Sequence, residues 1–175
     1  MTNLLVLCTG NAARSVMAGF MLEHLSDRCA GPALHVVTAG THSIDGQPMG
    51  LRTRTALARI PELAGADFRR HRSRQVHGID LVHAELVVVM EADHVRFVRR
   101  QFPDAATKTA TIRRLCRELP APPPGLGQRI ATMKLGEADI VDEEDVLDPA
   151  GYEGDVYAAV VDELWDLCRR LVTLL

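Results

Sequence analysis

The chain has 175 residues, a length that suits one domain, and a core of that size needs no covalent staples. Apolar residues make up 47% and charged residues 25%, which excludes wholesale disorder, collagen-like repeats and a miniprotein built on disulfides. The net charge of −3 excludes the basic excess expected of a nucleic-acid binder.

Leu4-Leu5-Val6-Leu7 is a short apolar run ending at Cys8, and it predicts a buried strand. Thr9, Gly10, Asn11, Ala12 and Ala13 make a loop of small residues. From Arg14 the pattern turns helical, with Met17, Phe20, Met21 and Leu25 at three- and four-residue spacing. Residues 34–39 predict a second strand, 40–50 a loop, and 51–59 a helix ended by Pro61. Arg69, Arg70, Arg72 and Arg74 form the one local basic run, read as a solvated loop. Residues 86–90 carry the strongest strand signal, apolar on both faces, and a helix over 93–101 follows, ended by Pro103. The stretch 120–127 holds four prolines and two glycines and reads as a loop or semi-rigid spacer. Residues 137–145 are acidic and read as exposed. The last helix, over 155–173, has an apolar stripe of Tyr157, Val161, Leu164, Cys168, Leu171 and Leu175, with Trp165 beside it as a core residue.

Strands alternating with helices predict an α/β fold with a parallel sheet covered on both faces, in one domain over residues 1–175. Ligands in such sheets bind beyond the carboxyl ends of the strands, where Cys8 lies. The cysteines at 8, 29, 116 and 168 contain no Cys-x-x-Cys pair and no spacing suited to zinc. No apolar stretch approaches the ~20 residues that span a membrane, and the N-terminus lacks a signal-peptide pattern. The expectation is a cytoplasmic protein with free thiols, without membrane insertion and without a metal.

Cys8-Thr9-Gly10-Asn11-Ala12-Ala13-Arg14-Ser15 is a cysteine, five residues, then arginine and serine, placed between a strand and a helix start. Gly and Asn tolerate unusual backbone angles, so the loop can aim successive N–H groups at one point. Those amides, the helix N-terminus and Arg14 favour a thiolate at Cys8, and Ser15 can donate to it. Arg14 can grip two oxygens of a tetrahedral oxyanion. The competing reading is a buried cysteine beside a polar turn. A thiolate that expels an alkoxide or phenolate needs a proton donor, and Asp148-Pro149 is the candidate; alone, Asp-Pro is only a turn.

Together these residues resemble the low-molecular-weight protein tyrosine phosphatase family. Met17-Ala18, Thr38-Ala39-Gly40-Thr41, Gly46-Gln47-Pro48, His71-Arg72-Ser73-Arg74-Gln75, residues 85–90 and Val146-Leu147-Asp148-Pro149 continue the similarity in order. The resemblance implies a three-layer α/β/α fold with a four-stranded parallel sheet flanked by helices. It implies hydrolysis through a cysteinyl-phosphate, with no cofactor, on a phosphorylated protein or small phosphomonoester. Carried over, Cys8 is the nucleophile and Asp148 the general acid, then base. Arg14 binds phosphate with the amides of the loop from Thr9 to Ala13, Asn11 holds the loop's strained shape, Ser15 supports the thiolate, and His71 braces Asn11.

The chain departs from the family pattern in places. Ala12 and Ala13 stand where many members carry a second, protective cysteine. Val16 replaces the usual proline and Gly19 the common glutamate. The rim is poor in aromatics, with Thr41-His42-Ser43-Ile44-Asp45 on one side and Tyr152 as the partial wall on the other, so phosphotyrosine preference is an expectation. Two rivals stand: an arsenate reductase using an external small thiol on the same scaffold, and a non-catalytic phosphate-binding module. The oligomeric state is open.

Overall fold

The computed structural model describes residues 1–28 and 32–175. Cys29 lies outside the described residues. Four strands, β1 (Thr2–Cys8), β2 (Leu34–Gly40), β3 (Leu86–Val89) and β4 (Thr109–Thr111), form one sheet in the order β2-β1-β3-β4, with every pairing parallel. Among the described residues, seven α-helices connect and cover them: α1 (Arg14–Ser26), α2 (Leu51–Leu57), α3 (Gly78–His83), α4 (Ala92–Gln101), α5 (Ile112–Glu118), α6 (Leu126–Thr132) and α7 (Gly154–Leu174).

β1 is central, which explains its unbroken apolar run. Leu4, Val6 and Cys8 face a core shared with α1, α2, α5, α6 and α7, while Leu5 and Leu7 face a second core with α3 and α4. Leu4 to Leu7 are each at most 1% exposed, and burial of such side chains is worth roughly 1.5–3 kcal/mol apiece. The four-stranded parallel sheet between two helical layers is the architecture that the resemblance implies.

The first helix forms despite Val16 and Gly19. Val16 is buried, and a side chain at Gly19 would press on Thr38, since a Cβ there would lie 2.5 Å from its Cγ2. Any side chain there would first have to displace that methyl group; the small residue lets α1 settle onto β2. Trp165 packs against the α1–α7 core, as the sequence predicts.

Three segments differ from the sequence reading. The Pro-rich stretch ends in a helix, since Gly125 opens α6 instead of a turn. Arg129 of that helix is buried and donates to main-chain oxygens of Pro120, Pro124, Leu174 and Leu175, tying the stretch to the end of α7. The acidic stretch is not wholly exposed: Glu144 is 3% exposed, because Thr111, Arg114 and Arg117 all donate to its carboxylate. Those donors hold its carboxyl below the usual range against the opposing effect of burial. The basic run is also more than a solvated loop. Arg74 is half-buried and pairs with Asp80, Arg70 pairs with Glu23, and the main chain of Arg74 and Val76 extends the outer edge of β2 at Gly40.

Candidate active site

The register sets Cys8 opposite Gly40 at the carboxyl end of β1, and α1 begins six residues later. Six successive carbonyls along the intervening loop find donors outside it. Thr41 N–H reaches Cys8 O and His42 N–H reaches Thr9 O, both at 2.9 Å. The hydroxyls of Ser43 and Thr53 donate to Gly10 O and Ala12 O, both at 3.0 Å. His71 Nε2–H donates to Asn11 O at 3.0 Å, and Met17 N–H to Ala13 O at 2.8 Å. Buried carbonyls need partners, and supplying them from outside turns the loop's N–H groups inward. Among the described residues, the amides from Gly10 to Ser15 have no acceptor.

α1 adds to this. Its first turn has no side-chain cap and no acidic residue, so its free N–H groups and positive dipole end point at the same centre. Gly40 is required by the close approach of the loop: a Cβ there would lie 2.6 Å from Thr9 O and 3.0 Å from Asn11 N.

Asn11 is fully buried with φ +50°, in the left-handed region. Its Oδ1 accepts from Arg74 N–H at 3.0 Å and its Nδ2 donates to Ser15 Oγ at 3.1 Å. Since Ser15 Oγ accepts there, its own hydrogen is free for Cys8 Sγ, 2.9 Å away. Burial lowers the His71 pKa, against the raising effect of the Asn11 carbonyl, and Arg72 lowers it further.

Arg14 is 1% exposed. Its Nη1 donates to Glu91 and to Val146 O (3.0 Å), and its Nη2 to Asp148 Oδ2 (2.5 Å) and Thr9 Oγ1 (3.4 Å). Asp148 Oδ1 also accepts from Ala150 N–H at 3.0 Å, and its side chain is 41% exposed. The preceding segment is pinned to the end of β3 and the start of α4: Val146 N–H donates to Met90 O at 2.8 Å, and Ala92 N–H to Asp145 Oδ1 at 2.6 Å.

Cys8, Thr9, Asn11, Arg14, Ser15, His71 and Asp148 thus converge, while Gly10, Ala12 and Ala13 contribute backbone. Tyr152 stands apart on the turn after Pro149, half exposed, and Ile44 and Leu147 are further exposed apolar side chains. Cys116 and Cys168 sit on α5 and α7. Cys116 Sγ meets Leu167 O and Cys168 Sγ meets Ala18 O; burial pushes the Cys116 thiol up to about 11 and raises that of Cys168 as well. Among the described residues no three His, Cys, Asp or Glu side chains cluster to hold a metal ion.

Sequence reasoning missed Glu91 and His94. Glu91 carries the Nη1 side of Arg14, and its Oε1 lies 3.2 Å from His94 Nε2. His94 is buried and its pKa is lowered to about 3, by desolvation first and then by Arg14. A signal was present: Glu91 follows the last residue of the strongest strand, at the carboxyl edge where ligands bind.

A model of the family "Low molecular weight phosphotyrosine protein phosphatase" matches residues 3–121. A protein-arginine-phosphatase of Geobacillus stearothermophilus is 27% identical over 168 residues, 96% of this chain and 92% of the relative. A probable low molecular weight protein-tyrosine-phosphatase of Ralstonia solanacearum is 31% identical over 112 residues, 64% of this chain and 69% of the relative. Among solved structures, a low molecular weight protein tyrosine phosphatase from T. tengcongensis superposes with TM-score 0.77 at 26% identity, covering 100% of both chains. The arginine phosphatase structure from Geobacillus stearothermophilus gives 0.74 at 27% identity, covering 98% of this chain and 91% of that one.

Proposed function

As the chain belongs to the low molecular weight phosphotyrosine protein phosphatase family, whose members are cysteine-dependent phosphatases, we propose that it cleaves phosphate from protein side chains, phosphotyrosine foremost, through a cysteinyl-phosphate on Cys8. The observation that carries this reading is one centre faced by a thiol, a ring of acceptor-free amides, an arginine and an Asp-Pro carboxyl. The phosphoryl oxygens take the loop amides and the Nη2 side of Arg14, displacing Asp148 from it. Cys8 attacks phosphorus as the bond to the leaving oxygen breaks, and Asp148 delivers a proton to that oxygen. A water molecule then attacks the cysteinyl-phosphate, its proton passes to Asp148, and inorganic phosphate leaves with the thiolate restored. The amides and Arg14 stabilise the charge on the transferring group in both steps.

Residues 1–175 are read as one domain, since α7 returns onto the core built by α1, α2 and α5. The free thiols Cys8, Cys116 and Cys168 support a reducing, cytoplasmic setting. Phosphoarginine is a second substrate class, favoured by the arginine phosphatase that aligns along nearly the whole chain, and by a rim where Ile44 offers no ring to stack on a phenyl group.

The test is hydrolysis of p-nitrophenyl phosphate without metal, at pH 5–7, by the wild type, Cys8→Ser and Asp148→Ala. Turnover lost in the first variant and strongly reduced in the second supports the mechanism. Phosphotyrosyl and phosphoarginyl peptides then separate the two substrate classes. A folded, reduced wild type without turnover overturns the reading and moves the weight to arsenate reduction with a small thiol or to phosphate binding alone.

A further inference from the structure

The guanidinium of Arg14 has two unlike sides. Nη2 faces Asp148, whose side chain is 41% exposed and lies on the open side of the site. Nη1 faces Glu91, whose side chain is 22% exposed, together with Val146 O. The Nη2 contact is therefore the one an incoming anion can replace, and the Nη1 contact is the one that stays. Glu91 is itself held. It lies two residues beyond β3 and directly before the first residue of α4, so its backbone is held between a strand and a helix. Its Oε1 lies 3.2 Å from His94 Nε2 and 3.5 Å from Thr9 Oγ1, and Thr9 Oγ1 lies 3.0 Å from the same His94 nitrogen. His94 Nδ1 is buried without a partner among the described residues, so the ring's single proton belongs on Nε2, directed at this pair.

This arrangement does two things to the anion seat. It fixes the plane of the guanidinium, so that Nη2 presents a donor edge toward the amide ring. It also leaves a carboxylate beside Arg14, so the arginine meets an incoming dianion with part of its charge already offset. Glu91 is not a group that touches the reacting atoms.

We infer that Glu91 is a positioning residue that aims Arg14 at the phosphoryl group and, by offsetting its charge, keeps the site from retaining the phosphate it releases. The inference rests on the phosphatase reading of this site. It differs from a purely structural role in the sign of one measurable effect. A structural carboxylate, once removed, loosens the site and weakens phosphate binding. A carboxylate opposing the anion, once neutralised without loss of shape, strengthens it.

The experiment is calorimetric titration of the reduced protein with inorganic phosphate, comparing wild type with Glu91→Gln, Glu91→Asp and Glu91→Ala. Glu91→Gln keeps an oxygen for Arg14 and nearly the same side-chain shape. Phosphate should bind it about tenfold more tightly, as expected for removing one opposing charge near a partly desolvated anion. In steady-state hydrolysis of p-nitrophenyl phosphate its KM and kcat should fall together, because substrate and product are both held harder. Glu91→Asp, which keeps the charge, should stay within about threefold of wild type in phosphate affinity. Glu91→Ala frees the guanidinium to swing and should bind phosphate more weakly than Glu91→Gln. Equal or weaker phosphate binding by Glu91→Gln overturns the inference. Should Glu91→Gln not fold, Glu91→Asn against Glu91→Asp is the same neutral-for-charged comparison, with tighter binding by the neutral member again required. Titration needs no turnover, so a wild type that binds phosphate yet hydrolyses nothing defeats the phosphatase reading separately.

Discussion

Gly40→Ala places one methyl group where the structure has no room. The new Cβ would sit 2.6 Å from Thr9 O, 2.7 Å from Ser43 Cβ and 3.0 Å from Asn11 N, so both sides of the contact are backbone or are tied to it. A comfortable carbon–oxygen contact is roughly 3.3 Å, which requires a displacement of ~0.7 Å in the loop or the strand. β2 cannot yield easily, because Gly40 bonds Arg74 O through its N–H and Val76 N–H through its carbonyl, both at 2.9 Å. Overpacking of this kind costs about 3 kcal/mol, which is ~6–12 °C in Tm for a chain of this size. The loop would shift at Thr9 and Asn11, and misplacement on that scale costs about 100-fold in kcat/KM. Urea unfolding followed by circular dichroism gives the first quantity and p-nitrophenyl phosphate hydrolysis the second. Gly10→Ala is the control within the same site: a Cβ there meets nothing within 4 Å, so stability should stay within ~0.5 kcal/mol of wild type. If Gly40→Ala matches Gly10→Ala in stability and keeps wild-type kcat/KM, the argument that β2 holds the loop by close contact is wrong.

Ser15→Ala removes the donor to Cys8 Sγ and leaves Asn11 Nδ2 without its acceptor. It should lower kcat/KM about 10- to 100-fold at a cost of ~1 kcal/mol, and its effect should be non-additive with that of Asn11→Ala in a double-mutant cycle. His94 sets an acid limit. Its pKa is about 3 in the fold against 6.5 unfolded, so the unfolded chain binds the proton first. Its stabilising contribution is complete above pH 6.5 and is lost as pH falls toward 3, by about 3 kcal/mol at pH 4.5. Denaturant unfolding at pH 7 and 4.5 should show this loss in the wild type and a smaller one in His94→Gln. Arg129→Ala strands four main-chain oxygens and should cost about 3 kcal/mol in urea unfolding while leaving kcat unchanged, because it lies outside the site.

The residues that are local in sequence were the legible ones. β1, the loop and α1 adjoin, so the apolar run, the small residues and the helical spacing announce a strand, an anion seat and a helix in order. The final helix, expected over 155–173, runs from Gly154 to Leu174, because its apolar stripe is long and unbroken. β4 has three residues and α5 seven, too few for a period to emerge, and both take their form from what they pack against. Within the site, Asp148 was found through its proline and His71 through the family resemblance. Glu91 escaped because no neighbour in sequence explains it. Its meaning comes from Arg14, 77 positions away, and a buried guanidinium's counter-ion is set by tertiary contact alone. The burial of Glu144 escaped for the same reason, since its cations come from α5.

The outward-turned carbonyls of the loop have a consequence for how the seat can be lost. Their donors come from the strand end at 41–43, from α2, from the segment at His71 and from α1, so four separate stretches of chain write one local shape. Such a loop has no independent conformation to keep. The eight residues from Cys8 to Ser15, excised as a peptide or carried into another protein, would turn some of those oxygens back toward the centre, where they would repel an anion. Within this chain, the oxyanion binding proposed for the loop should disappear at the same denaturant concentration as the fold itself.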